Sequence, residues 1–487
     1  MKFKFQSKAF DFCVTQSFII SPVIVFIGGI IMSENILLKE KIPKLYLKFV
    51  IPAIIAMVLE GIQGMVDGIF LGNFVGVNAM ASVNIANAYL QIIIGSSMVI
   101  CTGTMSSLGR ALGGGDVKKA KDIFKSAIIA LGVISVTILL AGFFFSNGIA
   151  RFLGANDVLL SDTSRYIQTI ALFVPIISFK ILFGFIGRLI EKPQLYLAGT
   201  VSCLVSNMVL NFITIKILRL GVACAATATG VAYLIGLIVV IRPILSKKTI
   251  INIYDGKFCW NEFKNLAFNG SSEGVTYVAN ALTLFLLNRS FMNFAGESGV
   301  AAFTIINYIG NFVTLIMFGI SDGISPIISS NYGAGKMERI RKTLYTAVIA
   351  NLVIGIGLFS VFNLFSENLI RIFVNDNKPV IDMAASGAKI YGLCFLLSGF
   401  NIIQSGYHTA LGNAVASIII ASSRGIVFVA IGLMIFSIFW EINGVWFTLP
   451  FAEIMTFICC LIILFRQRKQ GESFISAPFR LTNRKIK

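Results

Sequence analysis

The fold is decided by an apolar stretch that reads IPAIIAMVLEGIQGMVDGIFLGNFVG from Ile51 to Gly76. Roughly 20 helical residues at about 1.5 Å each span the hydrocarbon core of a bilayer, so this stretch predicts a membrane-crossing helix. Three polar side chains interrupt it, namely Glu60, Gln63 and Asp67. Their spacing of i, i+3 and i+7 places them nearly above one another, so the helix carries one polar stripe.

The stripe brings two carboxylates to membrane depth. An acid there costs on the order of 2.5 to 3.5 kcal/mol on insertion scales, so it normally faces a protein interior or a wet cavity. Such a carboxylate can exchange a proton or hold a small cation. The alternative is a buried helix contact satisfied by neighbouring Ser or Asn side chains. For Asp67 we favour the functional interpretation, whereas for Glu60 both interpretations stay open.

Composition excludes an ordinary soluble domain. The 487 residues are 56% hydrophobic and 13% charged, with a mean hydropathy of +0.87, whereas soluble domains average about 45 to 50% apolar and about 25% charged residues. The formal net charge is +18. The basic residues lie in short loops and a tail between apolar runs, where orientation in a membrane explains them better than nucleic-acid binding does.

Enzyme and metal chemistry have little support in the sequence. The eight cysteines lie mostly inside apolar runs and form no CxxC pair, so free buried thiols are expected. The single histidine, His408, excludes the usual His-rich metal and acyl-transfer sites. We therefore expect a protein that is not an enzyme and that holds neither a metal nor an organic cofactor.

Twelve apolar segments, each near the length of a membrane helix, follow Lys44. They cover approximately residues 45–71, 80–107, 122–146, 162–190, 195–217, 221–244, 262–288, 299–328, 341–366, 386–411, 414–439 and 443–465. Helix is the only open-ended element that lipid permits, because every backbone polar group must bond internally. The predicted fold is therefore an all-α polytopic membrane protein with twelve transmembrane helices.

Lysine and arginine are distributed unevenly between the two sides of the predicted membrane. If the residues near Met32 are cytoplasmic, the inside segments hold 27 Lys and Arg and the outside connections hold seven. This bias predicts that both termini lie in the cytoplasm, and an even number of helices agrees with it. The expected location is the bacterial plasma (inner) membrane.

The two halves of the chain repeat each other. A shift of 220 residues without a gap pairs NFVG at 73–76 with NFAG at 293–296, and the register holds through the paired glycines 113 and 333. Six helices per half is an even number, so the halves are expected to be parallel repeats about an axis along the membrane normal. Two six-helix lobes around a central cleft favour transport by rocking of the lobes.

The predicted domain organisation has five parts. These are a leader or extra N-terminal segment at 1–31, an N-terminal six-helix lobe at 32–244, a cytoplasmic linker at 245–260, a C-terminal six-helix lobe at 261–466 and a basic cytoplasmic tail at 467–487. Residues 1–31 could be a signal segment or an extra helix. A third interpretation, which is our hypothesis, is that the native protein starts at Met32 and that residues 1–31 are a translation of the upstream leader sequence. The codons of Gly28 and Gly29 can form a ribosome-binding sequence at a suitable distance from Met32.

Two glycine-rich turns follow the second helix of each half, RALGGGD at 110–116 and NYGAGK at 331–336. Neither has the GxxxxGK[ST] pattern of a phosphate-binding loop, so we interpret them as helix C-caps with tight turns. Together with the twelve helices, the two-lobe repeat, the stretch from Asp67 to Ala81 and SDGISP at 321–326, they make the chain resemble the multidrug and toxic compound extrusion (MATE) family, bacterial branch. The resemblance covers about residues 32–465.

The resemblance implies a polar site in the N-terminal lobe. The helix-one proline of the family matches Pro52, the helix-one aspartate matches Asp67, the helix-five asparagine matches Asn207 and the helix-six threonine matches Thr229. The position four residues after the asparagine, an aspartate in some members, is Asn211 here.

Three further positions belong to the expected site. A tyrosine of some members, one turn before the aspartate, is Gln63 here. We infer that Glu60 serves as a second acid in cation or proton coupling, with Asp67, Asn207, Asn211 and Thr229. Glu273, in the first helix of the second lobe, matches a glutamate used for cation coupling in similar transporters, or it is a helix-end or interlobe hydrogen-bond partner. Protonation could bend helix one at Pro52, unless that kink is inert.

The expected function is a cation-coupled antiporter, driven by H⁺ or Na⁺, that exports amphipathic and often cationic compounds by alternating access. Its partners would be small molecules and the bilayer, and a monomer is expected because one chain holds both lobes. The main alternative is a flippase or exporter of a lipid-linked saccharide or another endogenous metabolite, which would need several cleft arginines. A channel and a membrane-embedded enzyme rank below it.

Four other charged residues lie within or near predicted helices: Lys180, Asp322, Arg424 and Glu453. Lys180 and Arg424 either pair with acids or extend to the interface. Asp322 is an extra cation ligand or a solvated helix end, and we favour the solvated end. His408 is expected near the cytoplasmic end of helix ten, in a structural role rather than as a proton relay.

Overall fold

The computed structural model describes residues 36–218, 221–371, 373–374 and 378–469. The predicted leader at 1–31 lies outside the described residues, as does the predicted tail beyond residue 469. The first half contains α1 (Ile36–Lys39), α2 (Ile42–Phe74), α3 (Val77–Gly113), α4 (Val117–Phe144), α5 (Ser146–Phe152), α6 (Asp157–Ala171), α7 (Val174–Leu189), α8 (Pro193–Asn211) and α9 (Val222–Ile241).

The second half contains α10 (Trp260–Gly333), α11 (Met337–Leu364), α12 (Ser366–Arg371), α13 (Lys378–Tyr391), α14 (Cys394–Leu411), α15 (Ala414–Ser422) and α16 (Phe428–Lys469). A π-helical turn extends α8 over Phe212–Ile217, and another joins α15 to α16 over Ser423–Val427. Long apolar helices dominate because lipid leaves backbone groups no other partners.

Two of the long helices are each two membrane segments. In α10 the backbone breaks at Gly296 (φ 59°, ψ −150°), and in α16 it breaks at Glu441 (φ 48°, ψ −126°). Both breaks fall between predicted segments. Gly296 is the repeat counterpart of Gly76, which joins α2 to α3 with φ 130°, and a positive φ suits glycine because it has no Cβ. With these divisions, the described residues form the twelve predicted crossing segments.

The fourth segment of each half is bent. The angle between α6 and α7 is 53°, and the angle between α13 and α14 is 49°. The sequence predicted these segments at 162–190 and 386–411, so the starts at Asp157 and Lys378 are corrections, and the bends were not predicted. The first helix of each bent pair, α6 or α13, contains polar residues, as in DVLLSDTSRYIQTIA. These residues lower the local hydropathy, so hydropathy did not detect where each pair begins.

Each lobe has its own apolar core. One buried cluster includes Ile93, Phe124 and Ile177 and lies in the first half except for Leu266 of α10, and a second includes Phe303, Phe395 and Trp446 and lies within the second half. Two smaller clusters join the first turns of α2 to α10. Two separate cores joined by a limited seam allow the lobes to move as two bodies.

The seam between the lobes is tightest at the basic end, meaning the end of the bundle that carries loops 114–116, 245–259 and 334–336. A Cβ placed on Gly103 would lie 1.9 Å from the Leu266 carbonyl oxygen, and one on Gly113 would lie 1.9 Å from the Ser330 carbonyl oxygen. Ser106 Oγ donates across the seam to the Thr409 carbonyl at 2.5 Å. The two lobes are therefore in backbone contact at the basic end.

Candidate functional site

The polar stripe of α2 faces a matching stripe on α8. The α8 side chains recur at i, i+4, i+7, i+11 and i+15, which keeps them on one side of a helix. They are Tyr196, Thr200, Cys203, Asn207 and Asn211. The two helices run in the same direction, so the stripes meet level by level and form two separate clusters.

The first cluster surrounds Asp67, in the half of α2 that lies away from the basic end. Asn211 Nδ2 donates to Asp67 Oδ1 at 2.6 Å, and Thr229 Oγ1 donates to Oδ2 at 3.5 Å. Asn207 links them, because it accepts from Asn211 at 3.2 Å and donates to Thr229 at 3.2 Å. Asp67 is half-buried and its three partners are buried. The structure thus brings together four of the predicted site residues.

This cluster has the chemistry for a proton or a hard cation. Carboxylate, amide and hydroxyl oxygens are the ligands that hard cations prefer. Asn211 Oδ1 is buried and has no hydrogen-bond partner among the described residues, so an acceptor remains available beside the acid. The π-helical turn begins directly after Asn211, and single π turns within helices occur frequently at functional sites.

The second cluster surrounds Glu60, two helical turns nearer the basic end. Lys180 Nζ lies 3.1 Å from Glu60 Oε1, Tyr196 Oη donates to the same oxygen at 3.1 Å, and Thr200 Oγ1 donates to it at 3.4 Å. The Glu60 side chain is 34% exposed and that of Lys180 is 2% exposed. The structure therefore places Glu60 in an ion pair with the buried Lys180 and not in the hydrogen-bond network of Asp67.

Gln63 and Pro52 occupy the remaining positions of interest on α2. Gln63 is buried between the two clusters, where Cys203 Sγ lies 3.7 Å from its Oε1. Pro52 lies fifteen residues before Asp67, which is about 22 Å along a helix. The helix continues through this proline. Pro52 is therefore remote from Asp67, whose protonation was expected to bend the helix at the proline.

The C-terminal lobe faces the Glu60 cluster with two acids. Glu273 is half-buried on α10, one turn before Tyr277 of the same helix. Asp322 Oδ2 lies 3.5 Å from Nη1 of Arg188, whose side chain is 1% exposed. The interpretation of Asp322 as a solvated helix end is wrong, because it forms an ion pair between the lobes. Neither Glu273 nor Asp322 joins the Asp67 network.

The remaining predicted charges also find partners. Arg424 Nε lies 2.7 Å from Glu453 Oε1, and Asn401 Nδ2 donates to Glu453 Oε2 at 2.7 Å. Of the two alternatives for Lys180 and Arg424, the structure therefore shows pairing with acids. His408 lies in the last turn of α14, at the end of helix ten where it was expected, and it is fully buried. Its ring packs edge-on against Tyr407.

Sequence reasoning missed Tyr196 and Thr200. Their signal was present as the regular spacing of polar residues on α8, which could have been matched to the stripe of α2. Lys180 was recognised as a charge within an apolar segment, but its distance of 120 residues from Glu60 hid the pairing.

A family model settles what this architecture belongs to. The MatE model matches the chain twice, over residues 52–213 and 274–435. The chain belongs to the MatE family. The two matches fall one in each lobe, and the protein is accordingly a multi-pass membrane transporter and not an enzyme. MatE membership also confirms the resemblance to multidrug and toxic compound extrusion proteins.

Relatives and solved structures agree with the MatE assignment. Multidrug export protein MepA of Staphylococcus aureus strain bovine RF122 / ET3-1 is 23% identical over 447 residues, which cover 89% of this chain and 96% of that protein. MepA of Staphylococcus saprophyticus is 24% identical over 437 residues, which cover 88% and 95%.

Two solved structures have the same fold. An outward-facing multidrug resistance MATE family transporter of the MOP superfamily aligns with a TM-score of 0.84 at 20% identity, covering 91% of this chain and 99% of its own. A MOP superfamily transporter from Pyrococcus furiosus, described as having a binding pocket of reverse polarity, aligns with a TM-score of 0.84 at 21% identity over the same shares. The two-lobed, twelve-helix fold is thereby confirmed.

Proposed function

We propose that this MatE protein is a cation-coupled antiporter that exports amphipathic, often cationic, compounds across the bacterial plasma membrane. The staphylococcal relatives are multidrug export proteins, and the chain spans nearly their whole length. The observation that carries the proposal is the Asp67 carboxylate, held by Asn211 at 2.6 Å inside the N-terminal lobe. An ionisable group at membrane depth marks an ion or proton pathway.

Coupling requires that the ion and the compound bind in a mutually exclusive way, so that loading one releases the other. Asp67 meets this requirement through its surroundings. A proton or Na⁺ on the carboxylate changes which hydrogen bonds Asn211 and Thr229 can donate, and α8 and α9 carry those residues. Loading of Asp67 would therefore alter the packing of three helices in one lobe.

The energy needed for export is modest. A hundredfold outward gradient of a compound costs about 2.7 kcal/mol, at about 1.4 kcal/mol for each factor of ten. One elementary charge that moves through about 100 mV supplies about 2.3 kcal/mol. One or two ions per cycle suffice, so the proposed cycle needs no cofactor beyond the coupling ion, H⁺ or Na⁺.

The proposed orientation places the basic end in the cytoplasm, following the positive-inside rule. Both chain termini then lie on the cytoplasmic side. Because the lobes are in backbone contact at the basic end, this conformation would be closed to the cytoplasm and ready to load its ion from outside. A monomer suffices for the cycle, since one chain carries both lobes.

The saccharide-flippase alternative gains no support from the arginines of the bundle. Nη1 of Arg188 lies 3.5 Å from Asp322, its guanidinium packs on the rings of Phe185 and Tyr196, and its Nε and Nη2 have no hydrogen-bond partner among the described residues. Arg424 pairs with Glu453. A site for a lipid-linked phosphate would instead present unpaired guanidinium groups to the cleft. Both arginines already have carboxylate partners, so drug export remains the stronger proposal.

Ethidium uptake by inside-out vesicles tests the proposal. Wild-type protein should accumulate ethidium when a pH or Na⁺ gradient is imposed, and Asp67→Asn should abolish the gradient-driven part because an amide cannot take up a proton or supply a charged ligand. Collapsing the pH and Na⁺ gradients separately identifies the coupling ion. Wild-type transport that survives the loss of both gradients, or coupled transport by Asp67→Asn, would refute the proposal.

A further inference from the structure

We propose that Glu60 is the residue that recognises the positive charge of exported compounds, and that Lys180 is its built-in counter-ion. This inference rests on the proposed export function and assigns the two acids of α2 different tasks. Asp67 takes the coupling ion, whereas Glu60 takes the ammonium or similar cationic group of the cargo. It replaces our expectation that Glu60 is a second coupling acid.

The first support is the way in which the Glu60 carboxylate is held. Lys180, Tyr196 and Thr200 all contact one oxygen, Oε1, at 3.1 to 3.4 Å. No hydrogen-bond donor in the described part of the chain contacts the other oxygen, Oε2. Three donors on a single oxygen fix the direction of the carboxylate and leave the second oxygen available to a ligand.

Glu453 shows that this arrangement is not a general property of buried acids in the protein. Its Oε1 accepts from Arg424 and its Oε2 accepts from Asn401, both at 2.7 Å. The Glu453 side chain is 9% exposed, compared with 34% for Glu60. An acid with a structural role in this chain has both oxygens occupied and is enclosed, and Glu60 is neither.

The second support is where the exposed part of Glu60 lies. Its partners Lys180, Tyr196 and Thr200 are buried, so the open side of Glu60 is not toward them. Tyr196, which donates to Glu60, packs 4.1 Å from the guanidinium of Arg188, and Arg188 pairs with Asp322 of the opposite lobe. A Cβ placed on the neighbouring Gly61 would lie 2.6 Å from Leu315 of that lobe. Glu60 therefore stands at the boundary between the lobes, where alternating access admits cargo.

The third support is the cage around the Lys180 ammonium. Lys180 Nζ donates to Glu60 Oε1 at 3.1 Å and to Thr200 Oγ1 at 3.3 Å. It also lies 5.5 Å from the ring centroids of both Tyr196 and Tyr233. A carboxylate combined with aromatic faces is a general solution for binding organic ammonium groups. The protein's own lysine occupies this cage, so an arriving cation competes with Lys180 for the charge of Glu60.

The test compares a cationic probe with a neutral probe of similar shape. Purified protein in nanodiscs at pH 8 is titrated with tetraphenylphosphonium and with triphenylphosphine oxide. Glu60→Gln should weaken binding of the phosphonium about tenfold, the order expected for one charged contact, and leave the neutral probe within about twofold. Glu60→Asp, which keeps the charge, should restore most of the preference for the cation.

Glu453→Gln is the matched control, because it makes the same chemical change in a buried ion pair that we do not assign to cargo. It should leave the cation-to-neutral ratio at the wild-type value. Equal weakening of both probes by Glu60→Gln, or an unchanged ratio, would overturn the inference. Wild-type protein that fails to move ethidium in the vesicle assay would instead refute the proposed export function. Failure of the inference about Glu60 and failure of the export function are therefore distinguishable.

A second variant keeps the inference testable if Glu60→Gln does not fold. Lys180→Met removes the competing ammonium while it keeps most of the side-chain volume. The freed carboxylate should then bind tetraphenylphosphonium about tenfold more tightly, with no change for the neutral probe. A ratio that stays at the wild-type value in Lys180→Met would also overturn the inference.

Discussion

Asp67 and Glu60 lie two turns apart on α2, yet their carboxylates meet different kinds of donor. Asp67 is held by neutral amide and hydroxyl groups, and Glu60 is held by an ammonium together with two hydroxyls. A carboxylate among neutral donors can gain or lose its charge without leaving an unpaired charge behind, although the hydrogen bonds that it accepts then change. A carboxylate paired with lysine cannot, because loss of its charge leaves a buried ammonium unpaired.

The pair of Arg424 and Glu453 provides a stability prediction. Arg424→Ala should lower the free energy of unfolding by about 3 to 5 kcal/mol, because it leaves the carboxylate of Glu453 buried with only Asn401 as partner. The thermal transition of purified protein should fall clearly. The double variant Arg424→Met/Glu453→Leu should recover much of the loss, and a single variant as stable as wild type would contradict the prediction.

The sequence identified most of these residues but not most of their contacts. Asp67, Asn207, Asn211 and Thr229 were assigned to one site through the family resemblance, and the structure brings them together. The pairing of Lys180 with Glu60 depends on how two helices 120 residues apart are rotated about their axes. Apolar patterning fixes which residues face lipid, but it does not fix which buried polar groups face one another.

At the level of elements, hydropathy located the crossing segments and missed their internal shape. The bends of 53° and 49° and the two π-helical turns leave no trace in average apolarity. A bend depends on local backbone geometry near positions such as Pro175 and Gly392. A π turn adds one residue to a helix turn without changing its composition, so a hydropathy window passes over it.

The linker between the lobes provides a pH prediction. Asp255 Oδ2 lies 2.6 Å from Lys121 Nζ and 3.1 Å from Asn252 Nδ2, and these donors hold the pKa of Asp255 below its usual value. A lowered pKa means that the contact is fully present above the ordinary Asp value of about 3.9. It is lost only as the pH falls through the lower folded value.

The mobility of a spin label at position 248 in that linker checks this prediction. It should not change between pH 7 and about pH 4, since Asp255 with a lowered pKa stays mostly ionised there, whereas a carboxyl with the ordinary pKa of about 3.9 would be about half protonated. Asp255→Asn should raise the mobility at pH 7 because the charge that attracts Lys121 is gone. A label that becomes mobile by about pH 4 in the wild-type protein would show that the pKa of Asp255 is not lowered.

For the whole molecule, the decisive feature is the direct backbone contact between the lobes at the basic end. At Gly103 and Gly113 the backbones of the two lobes touch, so this contact has no rotamers to reorganise when it forms or breaks. Each lobe keeps its own buried core. Parting of the lobes at these glycines therefore exposes backbone and small residues, and it separates only the two smaller apolar clusters between α2 and α10.

Gly103→Ala should shift the protein away from the conformation described here. Its new Cβ would lie 1.9 Å from the Leu266 carbonyl oxygen, and backbone cannot move aside as a flexible side chain can. Spin labels at positions 118 and 264, in a background without native cysteines, should report a longer distance across the basic end. Gly357→Ala, where no atom lies within 4 Å of the new Cβ, is the matched control and should not change that distance.

Lys180 also bears on how the transporter tolerates ordinary electrolytes. A covalently attached competitor never diffuses away, and its ammonium already supplies Glu60 with the charge that dissolved sodium or potassium could offer. An inorganic ion would have to shed its water and share the charge of Glu60 with the lysine, with no other gain. A flat, apolar cation gains contact area as well. Binding of an exported compound should therefore depend little on the concentration of inorganic salt.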